Sequence, residues 1–279
     1  MAKRSAASSG RKDAPIYSAV IEKVFLKNAR AGAKEVLVTR KQLEQAAAAL
    51  EVDPKNVGDI LYSFRYRRPL PDRIRQKAPK GHVWIIRGGG AAQYRFCAVP
   101  ESYAFIRPNP GLMETRVPDS TPGIIARYAL DDEQALLAKV RYNRLVDIFT
   151  GVACYSLQSH LRTQVTGLGQ IETDEVYVGI DRQGAHYVIP VQAKGGSDKH
   201  SIVQIEQDFA MAKVKFPASI CRPIAAQFIG ADKIALFAFG LGKNGDARVL
   251  GEKHYVLVDP QAITAEELET YRREALLPG

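Results

Sequence analysis

The sequence predicts a mixed α and β chain in two parts, of α+β or α/β class. Three observations lead to this. Apolar residues at helical spacing mark three short helices before residue 66, and a glycine-tipped pair of strand-like segments follows them. The stretch RPNPGLMETRVPDSTP at 107–122 then breaks the pattern, because four prolines within it disrupt any helix. Beyond it, two apolar segments, QIETDEVYVGI and AHYVIPVQAK, flank the turn residues DRQG. The domain organisation expected is a disordered basic arm over 1–14, a first domain over 15–106, a linker over 107–126 and a second domain over 127–279.

In the first domain, YSAVIEKVFLKNA at 17–29 carries Val20, Val24 and Phe25 at core spacing. A short apolar run at 36–38 leads to Thr39, a good N-cap with Gln42 three residues on, so a helix is expected over 40–50. A third helix is expected over 56–66, with Val57, Ile60, Leu61 and Phe64 inward. The strands HVWIIR and QYRFCAV, joined by Gly88-Gly89-Gly90, complete the order of a winged helix-turn-helix domain, with Trp84 packed in the hairpin core. The charge gathers where such a domain touches DNA. Arg65, Arg67, Arg68, Arg73, Arg75, Lys77, Arg87 and Arg95 stand against Asp72 alone, a set suited to phosphates and guanine edges. The plainer alternative is a solvated basic face on a protein-interaction domain.

In the second domain, helical periodicity resumes at Asp131-Asp132-Glu133 and is expected to run to about residue 165, broken near Gly151. A β-hairpin around DRQG follows, and its loop length decides which acids share a face. With a three-residue loop, 182–184, and Gly184 in the left-handed position, Asp181 pairs with Ala185. Asp174 then lies opposite Gln192, and Glu172 opposite Lys194, all on one face. A two-residue loop would put Glu175 there instead of Asp174, so Glu175 stays an alternative acid. A helix over 201–216, strands over 221–228, 233–239 and 253–258, and a tail helix over 265–277 complete the domain.

An acid followed by Gln192-Ala193-Lys194 on the next antiparallel strand resembles the PD-(D/E)xK nuclease superfamily, in the QxK variant of Mrr-like restriction endonucleases. The resemblance spans roughly 133–239. It implies a restriction-endonuclease-like αβββαβ core and a magnesium or manganese ion held by Asp174 and Gln192. It also implies Lys194 at the scissile phosphate. Glu172 is added as the carboxylate that would replace the charge glutamine lacks, with Gln204, His160 and Arg162 as accessory candidates. The expected function is a metal-dependent DNA endonuclease of type II restriction or host-defence kind, acting on double-stranded DNA as a homodimer. The alternatives are a DNA-binding regulator with an inactive nuclease-like domain, an RNA-processing nuclease, or a plain ion-pair ladder of Asp174, Glu172 and Lys194.

Composition agrees with these expectations and excludes others. A net charge of +9 suits a polyanionic partner. Three cysteines without a CxxC pair, and a basic N-terminus lacking an apolar core, point to the cytoplasm and away from membranes. The five histidines show no HxxxH spacing, the glycine run lacks a following Lys-Ser/Thr, and no GxSxG elbow occurs.

Overall fold

The computed structural model describes residues 6–51, 57–66, 68–130, 132–196, 198–230 and 232–276. The chain divides into two compact units, Met1–Ile106 with Gln164–Ile171 and Ser201–Val203, and Arg107–Thr163 with Glu172–His200 and Gln204–Gly279. Among the described residues no helix is long and apolar enough to cross a membrane.

The first unit runs α1 (Ala6–Asn28), β1 (Glu35–Thr39), α2 (Arg40–Ala48), α3 (Val57–Tyr66), α4 (Asp72–Arg75), β2 (His82–Gly88), β3 (Gln93–Pro100), α5 (Glu101–Ala104) and β4 (Phe105–Ile106). Helix α1 begins at Ala6, inside the segment expected as a disordered arm; residues 1–5 lie outside the described residues. Strands β1, β3 and β2 form an antiparallel sheet in that order. Helix α2 starts where side chains satisfy the free backbone N–H groups. The Thr39 hydroxyl accepts from the Gln42 amide at 3.2 Å, while Gln42 Oε1 accepts from the Thr39 amide at 2.8 Å. Helix α1 packs Val20, Ile21, Val24 and Phe25 onto the sheet, and the Phe25 ring meets Trp84 and Phe96 edge-on, each at 5.1 Å. Trp84 thus belongs to the core, as the sequence led us to expect.

The second unit contains β5 (Glu114–Pro118), α6 (Gly123–Tyr128), α7 (Glu133–Tyr142), α8 (Leu145–Thr150), β6 (Ala153–Val165), β7 (Gly169–Ile180), β8 (His186–Lys194), β9 (His200–Ser201), α9 (Ile202–Lys215), β10 (Ile220–Cys221), β11 (Ile224–Phe228), β12 (Lys233–Leu241), β13 (Ala247–Val258) and α10 (Ala265–Leu276). Its mixed sheet has the order β5-β13-β12-β11-β8-β7-β6, with β10 beside β8. Two expectations are corrected here. The proline-rich stretch is not merely a linker, since β5 pairs in parallel with β13. The region before the hairpin is not helical to residue 165. Gly151 ends α8 at φ +68°, and the chain continues as the edge strand β6. Helices α7 and α8 bury Leu136, Leu137, Val140 and Val146 against Val191, Ala193, Ile224 and Leu236 of the sheet. Helix α9 links β8 to β11, which lie parallel, as a crossover connection of that length requires.

Candidate functional site

The β7–β8 turn is built by its own residues. Gly184 takes φ +82°, the left-handed region that costs glycine little, and the Asp181 carboxylate accepts from the Gln183 and Ala185 amides, each at 2.9 Å. The Asp181 amide donates to the Ala185 carbonyl at 3.1 Å. Pairing then runs from Ile180↔His186 to Glu175↔Val191, the register of a three-residue loop.

That register sets the two rival acids apart. Glu175 is fully buried; Arg141 Nε donates to its Oε1 at 2.9 Å and Ser156 Oγ at 2.6 Å. Arg141 Nη2 also forms an ion pair with Oε2 at 2.8 Å. Asp174 Oδ2 instead accepts from the Ala193 amide at 2.8 Å. Burial lifts the Asp174 carboxyl above the ordinary carboxylate range against the opposing pull of that amide; Lys194 and His160 lower it, and Glu133 raises it.

Lys194 does not pair with Glu172. Its Nζ lies 2.7 Å from Glu133 Oε1, at the first turn of α7. Glu133 stands there because the Asp132 carboxylate caps the helix, accepting from the Gln134 and Ala135 amides at 3.0 and 2.9 Å. Glu172 is turned to β6, where His160 Nε2 and Arg162 Nη2 each lie 2.8 Å from its Oε1. The face on which Asp174, Glu172, Gln192 and Lys194 were all expected to point is therefore not shared as written. The β7–β8 pairing runs from Ile180 only to Glu175, and before it Thr173 is the residue whose side chain shares a partner with Gln192.

Both of those side chains meet Asp208 of α9. Thr173 Oγ1 donates to Asp208 Oδ1 at 2.6 Å, and Gln192 Nε2 lies 3.2 and 3.0 Å from the two carboxylate oxygens. Gln192 Nε2 also reaches the Glu172 carbonyl at 3.3 Å, and Gln204 Nε2 donates to Gln192 Oε1 at 3.3 Å. Asp208 is wholly buried, and desolvation pushes its carboxyl up to about 7 despite the Thr173 and Gln192 hydrogen bonds.

No protein-family model, curated protein or solved structure matches this chain. The site is therefore judged on its own chemistry. Among the described residues no three His, Cys, Asp or Glu side chains converge as a metal cluster. Asp174 and Glu133 nevertheless act electrostatically on one another beside Lys194, and both offer hard oxygen donors. That set fits a magnesium-type ion, which uses one or two carboxylates and keeps several waters.

Sequence reasoning passed over Glu133 and Asp208. Glu133 was visible only as a favourable acid at a helix start. Asp208 sits within SIVQIEQDFAMAKVKF, and the signal available was a carboxylate at an inward position of an otherwise apolar helical face.

The expected DNA-contacting residues lie in the first unit, apart from Arg67, which is outside the described residues. Arg65 is half-buried, its guanidinium 5.7 Å over the Tyr66 ring, so α3 itself presents little free charge. Arg68 is also half-buried, and Arg87 Nη2 donates to the Tyr103 hydroxyl at 3.5 Å. Arg73 pairs with Glu22 at 2.7 Å, Arg95 with Glu35 at 2.8 Å, and Arg75 with Asp72. Lys77 is exposed. Of this set, Arg73, Arg75, Lys77 and Arg95 face solvent, the first three on α4 and the segment after it and Arg95 on β3.

Proposed function

We propose that the chain is a metal-dependent DNA endonuclease whose first unit binds the duplex. The observation that carries this reading is the placement of Asp174, Lys194 and Glu133 together at the end of the β7–β8 hairpin. The surrounding order supports it: α7 and α8, then β6, β7 and β8, then α9, then β11 parallel to β8, is the αβββαβ succession of PD-(D/E)xK nucleases. In the first unit, the succession α1, β1, α2, α3, β2, β3 with sheet order β1-β3-β2 supports a winged helix.

When bound, a magnesium or manganese ion supplies an activated water and neutralises phosphate charge. Asp174, oriented by the Ala193 amide, and Glu133 would hold it. The Lys194 ammonium, held in place by Glu133, stabilises the negative charge that grows on the phosphate oxygens. Glu175, bound to Arg141, keeps the strand in place and takes no part in the chemistry. A cut through both strands requires two copies, since the chain carries one such hairpin.

One observation favours the second reading, a DNA-binding regulator with an inactive nuclease-like domain. The Gln192 amide is buried and already bonded to Asp208. Plasmid DNA with magnesium separates the two. Cleavage by the intact protein that disappears in Lys194→Ala and Asp174→Asn supports the nuclease. Duplex binding without cleavage at any magnesium or manganese concentration supports the regulator.

A further inference from the structure

Strand β6 ends the order of the large sheet, so one side of its backbone has no neighbouring strand among the described residues. Such an edge invites pairing, and proteins commonly blunt it with lysine, proline or an inward-pointing charge. From Ala153 to Ser159 the sequence ACYSLQS holds none of these. Tyr155 and Leu157 stand two residues apart there and so share a face, at 63% and 53% exposed. Left-handed backbone bounds the stretch on both sides, at Gly151 with φ +68° and His160 with φ +54°, a conformation that interrupts a flat strand. Past that point the strand turns charged, and His160 and Arg162 are both engaged with Glu172.

We propose that a second copy of this chain docks on that stretch, β6 against β6, antiparallel about a two-fold axis at Ser156. This supplies the surface for the two-copy cut, and rests on the nuclease reading only for that use. The axis follows from what it sets opposite. Each Tyr155 then faces Leu157 of the second copy, an aromatic–aliphatic pair made twice. Moving the axis one residue, to Leu157, would put each Tyr155 opposite Ser159 instead. Charge selects the same occupant. The chain carries +9, so two copies repel except where neither presents charge. Ala153 to Ser159 is uncharged, and about this axis His160 and Arg162 fall opposite Val152 and Thr150 of the second copy, so like charges do not meet. A polyanion finds no cation along the stretch. The Cys154 amide, held by the Asp147 carboxylate at 2.8 Å, takes no part in the pairing. Because the same edge is used on both copies, the assembly closes at two.

The test is sedimentation velocity on the full chain over a range of concentrations, with and without duplex DNA, alongside plasmid cleavage. The parent should sediment as a dimer. Tyr155→Lys combined with Leu157→Lys sets like charges opposite each other twice and should raise the dimer dissociation constant about tenfold or more. Tyr155→Lys combined with Leu157→Glu sets opposite charges there and should dimerise about tenfold more tightly than the first combination. Where the parent linearises plasmid, the first combination should only nick it. Cysteine variants cover the case in which a charged one does not fold. A Tyr155→Cys chain mixed with a Leu157→Cys chain should give a disulfide-linked pair on mild oxidation, because directly opposite side chains lie within reach of the bond. Either chain alone should not, since its two thiols would lie on a diagonal of about 7–8 Å.

Three results overturn the proposal and leave the nuclease reading standing in a parent that cleaves. They are a parent that stays monomeric at every concentration with and without duplex, a dimer that survives the two lysines in a folded protein, and a mixture of the cysteine chains that links no better than either alone. A parent that dimerises and links as expected but cuts no DNA upholds the docking surface and overturns the nuclease reading instead.

Discussion

The assignment of Glu175 to the framework has a consequence large enough to measure. Glu175 is 0% exposed, whereas Arg141, which faces it, is 39% exposed. Arg141→Met keeps most of the aliphatic bulk and removes the guanidinium, leaving a buried carboxylate that still accepts from the Ser156 hydroxyl. Stranding one member of a buried pair typically costs about 3–5 kcal/mol. The partial exposure of Arg141 and the remaining hydroxyl place this case near the lower end, at about 3 kcal/mol. With a urea slope of about 2 kcal/mol per molar, the midpoint should fall by about 1.5 M. Far-UV circular dichroism reports both units, while Trp84, the one tryptophan, reports the core of the first. Replacing both partners, as Arg141→Met with Glu175→Leu, should restore stability to within about 1 kcal/mol of the parent, since no stranded charge remains. A loss below about 1 kcal/mol, or an equal loss from Arg141→Met in the parent and in Glu175→Gln, would refute the pairing. Glu175 would then return as a candidate acid.

Other outcomes follow from the same geometry. Thr39→Ala removes half of the capping box and should destabilise the first unit by about 1 kcal/mol in thermal denaturation, with Thr39→Ser nearly silent. Burial holds the His200 imidazole down to about 3, against an ordinary value of 6.5, with its Nε2 donating to the Ala226 carbonyl. The unfolded chain takes up that proton first, so stability is full above about pH 6.5 and falls as pH drops toward about 3. The fall should be shallower in His200→Gln, with a denaturation series from about pH 7 to about pH 4.5 as the check. Reversing Arg73 and Arg75 to glutamate should weaken duplex binding by the full chain. It should also lower the salt slope by about 0.9 for each phosphate that is no longer neutralised, and an unchanged slope would remove α4 from the interface.

How much was legible in the sequence depended on whether local chemistry settled the matter. Gly184 and Asp181 specify the turn by themselves, and with it the register from Ile180 to Glu175. Thr39 and Gln42 likewise mark the start of α2 without help from the rest of the chain. The misreadings arose where tertiary structure overrode local pattern. Residues 153–165 kept enough helical spacing to pass for a helix, yet they complete the sheet edge beside β7, which a single-segment pattern cannot register. Residues 114–118 looked like linker because prolines surround them, and their pairing with β13 is about 140 residues distant in sequence. The partner of Lys194 was misassigned because strand parity can rank residues on the hairpin alone. Glu133 comes from a helix 61 residues earlier.

Strand β8 is flanked on both sides, by β7 in one direction and by β11 and β10 in the other. Its residues from Val188 to Ala193 are buried without interruption. Amide protons there can exchange with solvent only when the sheet itself comes apart, so they should be among the slowest in the molecule. The tripeptide Gln192-Ala193-Lys194 is thus carried on the segment least given to local opening, unlike sites built on mobile loops. Lesions that loosen this strand should appear as fewer intact molecules, each keeping full competence, rather than as a uniform population of impaired ones.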